Sequence, residues 1–276
     1  MNIKKALTTT CMATAGLLLI GQSAHAGGSA VSYNDGDIFL GFRQTGGTSA
    51  YLLDLGQPDL FMTATPGSSI VLNTTISGFG DIGADLSSAS VFGSSWYTDG
   101  NVFFAVTGGT KFGDNFGDPE GTLYSTNPSS TPWTPQSDGS QVSTVNRLST
   151  AGFRYSLATS SANSDLGVIQ STSTPNNYAS FQPGGTIPNS AGISFAEWNP
   201  TNEGLVNTTL YFNQIISRGN GDTSVNIGFF SIDSGGLVTF TAAGSPIPEP
   251  STYALLGMST ALMGFLIFRR RNVRKA

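Results

Sequence analysis

Residues 37–55 read DIFLGFRQTGGTSAYLLDL, and this stretch decides the fold. Apolar side chains occupy alternate positions on both sides of the turn at 45–48: Ile38, Leu40 and Phe42 before it, Tyr51, Leu53 and Leu55 after it. Alternation with a period of two is typical of a strand with one buried face, and paired glycines favour a tight turn. The stretch therefore predicts a β-hairpin.

The rest of the body repeats this pattern in short runs separated by turns rich in Gly, Pro and Asn. The spacing predicts an all-β fold, a single β-sandwich or jelly-roll-like domain over 27–243. One helix is predicted at 140–157, where Val142, Val145 and Leu148 recur at helical spacing and Gly152 ends the pattern. A second short helical turn is predicted at 82–88. Further strands are predicted at 70–72, 102–107, 122–125, 167–170, 210–216, 225–232 and 237–241.

The first 26 residues have the pattern of a Sec signal peptide. Lys4 and Lys5 form a basic start, an apolar core follows at 11–20, and Ala24-His25-Ala26 provides small residues before the cleavage point. We expect signal peptidase to leave Gly27 as the new N-terminus. The Sec translocon and signal peptidase are therefore expected partners.

The C-terminus combines a spacer at 244–252, an apolar segment at 253–268 and a basic tail at 269–276. The uncharged stretch from Ser251 to Phe268 is about 27 Å long as a helix, enough to cross a hydrocarbon core. The tail begins with Arg269, Arg270 and Arg271, which favour the cytoplasmic side and act as a membrane stop. A transmembrane helix with the body outside the cytoplasm is predicted.

The residues before this helix, Pro248-Glu249-Pro250, resemble the sorting motif of bacterial PEP-CTERM proteins. The resemblance implies that a membrane cysteine protease, exosortase, processes the chain. It also implies transient anchoring in the inner membrane, followed by release to the cell envelope or the extracellular space. The alternative is a plain anchor that is never cut.

The body has a resemblance of its own, carried by Ile38–Arg43, Tyr51–Gly56, Ile82–Leu86, Trp96–Gly100 and Val102–Gly108. These runs resemble exported PEP-CTERM proteins of Verrucomicrobia-type bacteria. That group has no assigned activity, so the resemblance implies only the setting of the protein.

The composition excludes several kinds of chemistry. Cys11 and His25 are the only cysteine and the only histidine, and both leave with the signal peptide. The mature body therefore cannot form disulfides, thiolate nucleophiles, Ser-His-Asp triads, or zinc or haem sites built from Cys or His. Residues 27–248 carry five basic residues and 16 acidic residues, a net charge of about −11. Nucleic acid is not an expected partner.

One loop has the oxygen-rich composition of a calcium site. Asp114, Asp118 and Glu120 lie within seven residues, around a glycine. The spacing departs from an EF-hand loop, because counting from Asp114 the glycine is fourth and the twelfth residue is Ser125. Weak Ca²⁺ binding and an exposed acidic turn are the two interpretations, and no other cofactor is predicted.

Two tryptophans are candidates for carbohydrate contact, because exposed aromatic rings stack on sugars. Trp133 lies in a polar, Pro-rich loop and is the candidate for an exposed platform, the alternative being that it folds back to cover the core. Trp198 lies between Glu197 and Glu203, and its alternative is core packing. We expect a structural or adhesive surface or matrix protein that is associated with exopolysaccharide and has no catalytic residues. The alternative is a secreted polysaccharide hydrolase with paired carboxylates, for which Glu197 and Glu203 are the candidates.

Overall fold

The computed structural model describes residues 28–112, 117–182 and 202–244. These residues form an antiparallel sheet that curls into a half-barrel, with a few short helices. The all-β, sandwich-like prediction is confirmed. The strands are β1 Phe39–Gln44, β2 Ser49–Asp54, β3 Ser69–Val71, β4 Val102–Gly109, β5 Leu123–Asn127, β6 Gly167–Ser171, β7 Gly204–Leu205, β8 Leu210–Ile216, β9 Thr223–Ile232 and β10 Val238–Ala242.

The helices lie between strands and close the two faces of the sheet. They are α1 Asp59–Met62, α2 Leu72–Thr75, α3 Ile82–Leu86 and α4 Asp138–Ser156, with a 3₁₀ turn at Tyr178–Phe181. The predicted helices at 140–157 and 82–88 are confirmed as α4 and α3. Gly152 does not end the helix, since α4 continues to Ser156, and Tyr33 packs where a side chain on Gly152 would lie.

The strand order is β3-β10-β9-β8-β5-β4-β1-β2-β6, with β7 beside β4. The predicted hairpin is confirmed, since β1 and β2 pair with Phe42 opposite Tyr51. Gly46 adopts a left-handed φ of 71° in the turn. The loop at 233–236 is also confirmed as a hairpin turn, in which Asp233 accepts bonds from Gly235 N and Leu237 N at 2.9 Å.

The inner face of the sheet carries the largest apolar cluster. It begins with the hairpin residues Ile38, Leu40 and Phe42 and extends to β8, β9 and β10. Phe61 of α1 fills its centre, where its ring lies 5.0–5.7 Å from the rings of Phe212, Phe230 and Phe240. Helix α1 is thus held by burial of one aromatic side chain, since its four residues are too few to be stable alone.

The outer face carries two smaller clusters, covered by α4 and the 3₁₀ turn. One is centred on Phe39, Leu52 and Tyr155, and the other on Leu123 and Val145. Tyr178 lies directly over Gly41 of β1. The outer face also holds the charged side chains described below.

Gly41 is expected to be essential for docking of the 3₁₀ turn. A Cβ atom at this position would lie 2.2 Å from Cζ of Tyr178, inside van der Waals contact. Gly41→Ala should lower the free energy of unfolding by about 1–3 kcal/mol, as overpacking does. Chemical denaturation of the full-length protein measures this. Gly100→Ala is the matched control, since nothing lies within 4 Å of that position; equal losses for both variants would contradict the expectation.

Candidate functional site

The predicted sorting and cleavage residues lie outside the described residues. These are Ala24, Ala26 and Gly27, the motif Pro248, Glu249 and Pro250, the apolar segment 253–268, and Arg269, Arg270 and Arg271. Across 28–112, 117–182 and 202–244, no helix is both long enough and apolar enough to cross a membrane.

Two aspartates meet at the open end of the β1–β2 hairpin, on the outer face. The ladder continues beyond β1, where Ile38 N donates to Gly56 O and Leu55 N to Ile38 O, both at 2.8 Å. Asp37 and Asp54 therefore lie diagonally across the two strands, on the same face. They are 4% and 8% exposed, and their carboxyl groups share a hydrogen bond.

This pair is held by neutral donors. Asp37 accepts bonds from Asn34 N and from Gln57 Nε2, both at 2.6 Å, and Asp54 accepts from Gly56 N at 2.7 Å. Burial raises the pKa of Asp54 from 3.8 to about 8, the charge of Asp37 adds to the rise, and the Gly56 amide opposes it. Asp54 is therefore protonated at neutral pH.

Two tyrosines enclose the aspartate pair. Burial raises the pKa of Tyr33 to about 12, and burial also raises the pKa of Tyr155. The Tyr33 hydroxyl donates to Ser149 Oγ at 3.3 Å, and Ser149 donates to Asp35 at 3.1 Å. The carboxyl groups and the two tyrosine hydroxyls thus form one nearly buried polar cluster.

A second charged pair lies further along the same face. Arg43 of β1 binds Glu203 through Nε, at 2.9 Å to both carboxylate oxygens, and through Nη2 at 2.6 Å. The side chains are 13% and 2% exposed. Burial raises the pKa of Glu203, while the hydrogen bonds and charge of Arg43 oppose the rise. One carboxylate of the predicted Glu197/Glu203 pair is thus bound to arginine, and Glu197 lies outside the described residues.

A third buried carboxylate lies on the inner side of the sheet. Asp85 of α3 accepts hydrogen bonds from the Tyr51 hydroxyl at 3.0 Å, from Asn163 Nδ2 at 2.9 Å and from Ser161 Oγ. These bonds tie α3 and the 161–164 loop to β2. The role that the structure supports for Asp85 is to hold these elements together.

Of the two interpretations of Trp133, the structure supports the one in which the side chain folds back to cover the core. Its side chain is 4% exposed and packs with Leu123, Val145, Leu148 and Ile215 between α4 and the sheet. The loop folds back over an apolar patch, and burial of the large indole stabilises this arrangement. Trp198, the other candidate, lies outside the described residues.

The predicted calcium loop is only partly described. Asp114 lies outside the described residues, and Glu120 is exposed. Asp118 Oδ2 accepts hydrogen bonds from the Tyr124 hydroxyl and from Gln214 Nε2, the latter at 2.7 Å. Within the described part of the chain, no three His, Cys, Asp or Glu side chains are grouped so as to hold a metal ion.

An open groove lies between the end of α4 and the edge strand β6. It has a volume of about 220 Å³ and is lined by Arg154, Leu157 and Ala158 of the helix end, Ile169, Gln170 and Ser171 of β6, and Thr174 and Asn177. We did not predict it from the sequence. The available signal was the i, i+4 pair Phe153 and Leu157, which places two apolar side chains on one face of the predicted helix. They are 57% and 62% exposed.

Comparison with known proteins identifies the C-terminal segment. Residues 246–271 match the PEP-CTERM protein-sorting motif. The chain therefore carries the signal of an exported protein with a C-terminal membrane-anchoring region that is processed by exosortase. No curated protein and no solved structure matches the chain, so the similarity of the body to Verrucomicrobia-type proteins stays a prediction.

Proposed function

We propose that the exported body is a structural or adhesive component of the cell surface or extracellular matrix, and that it associates with exopolysaccharide without cutting it. One observation supports this most. The acid pair Asp37–Asp54 and the ion pair Arg43–Glu203 are nearly buried, whereas the groove beside β6 is open to solvent. Hydrolysis of a polymer needs carboxylates that the substrate can reach.

The proposal is tested with the mature protein and the purified exopolysaccharide of its host. We expect the protein to sediment with the polymer and to release no soluble sugar in the same tube. Sugar release by the wild-type protein would overturn the structural proposal. Absence of both binding and release would overturn the association with polysaccharide.

The alternative function is a secreted polysaccharide hydrolase. The raised pKa of Asp54 beside Asp37 favours it, because a carboxylic acid that stays protonated near neutral pH is what a general acid requires. Sugar release that disappears in Asp54→Asn and persists in Asp59→Asn, which changes an exposed carboxylate, would establish the hydrolase.

We also propose that the chain is processed at both ends by signal peptidase and exosortase, with only a transient stay in the inner membrane. At the N-terminus, Gly28 N already donates to Ser160 O at 3.1 Å, one residue after the predicted cleavage point. The body is thus tied together from the first residue that follows Gly27.

Intact mass spectrometry of the protein from its native host tests the processing. We expect an N-terminus at Gly27 and a C-terminus near 248–251, without the basic tail. The matched control is the same protein from a strain that lacks exosortase, which should retain residues 269–276. A mature surface protein that keeps Arg269 to Ala276 would show that the tail is a permanent anchor.

A further inference from the structure

The groove beside β6 combines an unpaired positive charge with a nearly buried hydrogen-bond donor. Arg154 is exposed and makes no ion pair with any described residue. Gln170 is 8% exposed, and its Oε1 accepts a bond from Tyr178 N at 2.9 Å. Its Nε2 has no partner among the described residues. Because Gln170 lines the groove and its oxygen is already held, this amide can donate to a ligand there.

The edge of β6 adds one more donor and acceptor. Even-numbered residues of β6 face β2, since Thr172 N donates to Thr48 O at 2.9 Å, so Ile169 directs its N–H and C=O away from the sheet. Most of the neighbouring outward groups are already bonded. Gly167 is bonded to Ser161 N and Ser164 Oγ, and the carbonyl of Ser171 accepts from Thr174 N.

The small number of free backbone groups on this edge of β6 indicates which class of ligand can bind. A peptide that adds to a sheet needs a row of free backbone groups, whereas here a single residue offers them. A compact ring with several hydroxyl groups needs only a few donors and acceptors close together. Common small-molecule pockets have volumes of about 300–1,000 Å³, and this groove is smaller. Its size suits one sugar unit of a longer chain.

The apolar walls suit a sugar as well. Leu157 is 62% exposed and lines the groove. Phe153, 57% exposed, lies one helical turn before Leu157 on the same side of α4. These side chains can cover the C–H faces of one sugar ring and its neighbour, which lowers the exposed apolar area of both partners.

We propose that this groove binds a polysaccharide at a single uronate unit, with Arg154 paired to the sugar carboxylate. The planar guanidinium matches a carboxylate in a bidentate pair. Gln170 Nε2 and the Ile169 backbone form hydrogen bonds with the sugar hydroxyl groups. The net charge of about −11 on the body repels a densely charged polyuronate. The ligand is therefore a chain in which uronate units are flanked by neutral sugars. This inference rests on the proposed association with exopolysaccharide.

The test uses two trisaccharides and the full-length protein in detergent. The acidic probe is one glucuronate linked to two xyloses, the neutral probe is xylotriose, and calorimetry or ligand-observed NMR gives the dissociation constants. We expect wild-type protein to bind the acidic probe at least tenfold more tightly than xylotriose. Arg154→Gln should lose this preference. Arg218→Gln removes the same charge from another exposed position and should stay within twofold of wild type.

The inference is overturned if Arg154→Gln binds the acidic probe as tightly as wild type, if xylotriose binds equally well, or if wild type binds neither probe. Circular dichroism checks that Arg154→Gln is folded, as expected for an exposed side chain. A different result would reject the proposed function alone. If the protein binds the acidic probe but does not sediment with the host exopolysaccharide, the groove is a sugar site and that polymer is not its ligand.

Discussion

Asp54→Asn should make the protein more stable than wild type at pH 8, and this gain should shrink steadily as the pH falls towards 4. The folded protein keeps Asp54 protonated up to about pH 8, whereas in the unfolded chain the proton leaves near pH 3.8. Between these values the folded state binds more protons, so wild-type stability is fully present below about pH 4 and falls as the pH rises towards 8. The free energy of unfolding changes by up to about 1.4 kcal/mol per pH unit for one proton. Asparagine mimics the protonated acid and removes this loss, which amounts to as much as about 5 kcal/mol at pH 8.

Denaturant unfolding of both proteins at several pH values measures this difference. Trp96 and Trp133 are buried and serve as fluorescent reporters. Asp59→Asn is the matched control, because it removes one exposed carboxylate and should follow the wild-type curve. Parallel curves for wild type and Asp54→Asn from pH 5 to pH 8 would show that Asp54 is ionised in the folded protein.

Arg43→Met should be among the most destabilising single changes in the body. It removes the partner of Glu203, whose side chain is 2% exposed, and leaves a carboxyl group buried without its cation. Breaking a buried ion pair from one side costs about 3–5 kcal/mol. The same denaturant series at pH 7 measures the loss in the free energy of unfolding.

The double variant Arg43→Met, Glu203→Leu distinguishes the charge from the packing. With both charges gone, an apolar pair of similar volume should recover most of the lost stability. Arg218→Met, at an exposed position, should change stability by less than about 0.5 kcal/mol. A double variant no more stable than Arg43→Met would mean that the arginine acts through packing on Phe103, whose ring lies 5.4 Å from Cζ.

Much of the fold could be predicted because each strand buries one apolar face. The alternation around Ile38 and Tyr51 predicts β1 and β2, and the spacing of Val142, Val145 and Leu148 predicts α4. Strand β7 could not be found, because two residues carry no periodicity. Helix α1 could not be found either, since its four residues are held by the burial of Phe61 in a distant cluster.

The polar sites were harder to predict because each one forms only when residues from different parts of the chain are brought together by the fold. Asp37 and Asp54 look like ordinary turn and strand-end residues until the β1–β2 register places them together. Arg43 and Glu203 are separated by 160 positions in the chain. The sorting tail, in contrast, is a linear signal that an enzyme reads as an extended segment, and for that reason the sequence alone identified it.

The position of β10 has a mechanical consequence for a protein held by its C-terminal tail. The described chain leaves the sheet directly after β10, which is hydrogen-bonded to β9 on one side and to β3 on the other. Phe240 of this strand is also packed against Phe61 and Phe230. A pull on the tail therefore loads two ladders and the aromatic centre together, instead of peeling away an edge strand one bond at a time. Any force applied through the tail is thus spread over the interior of the domain.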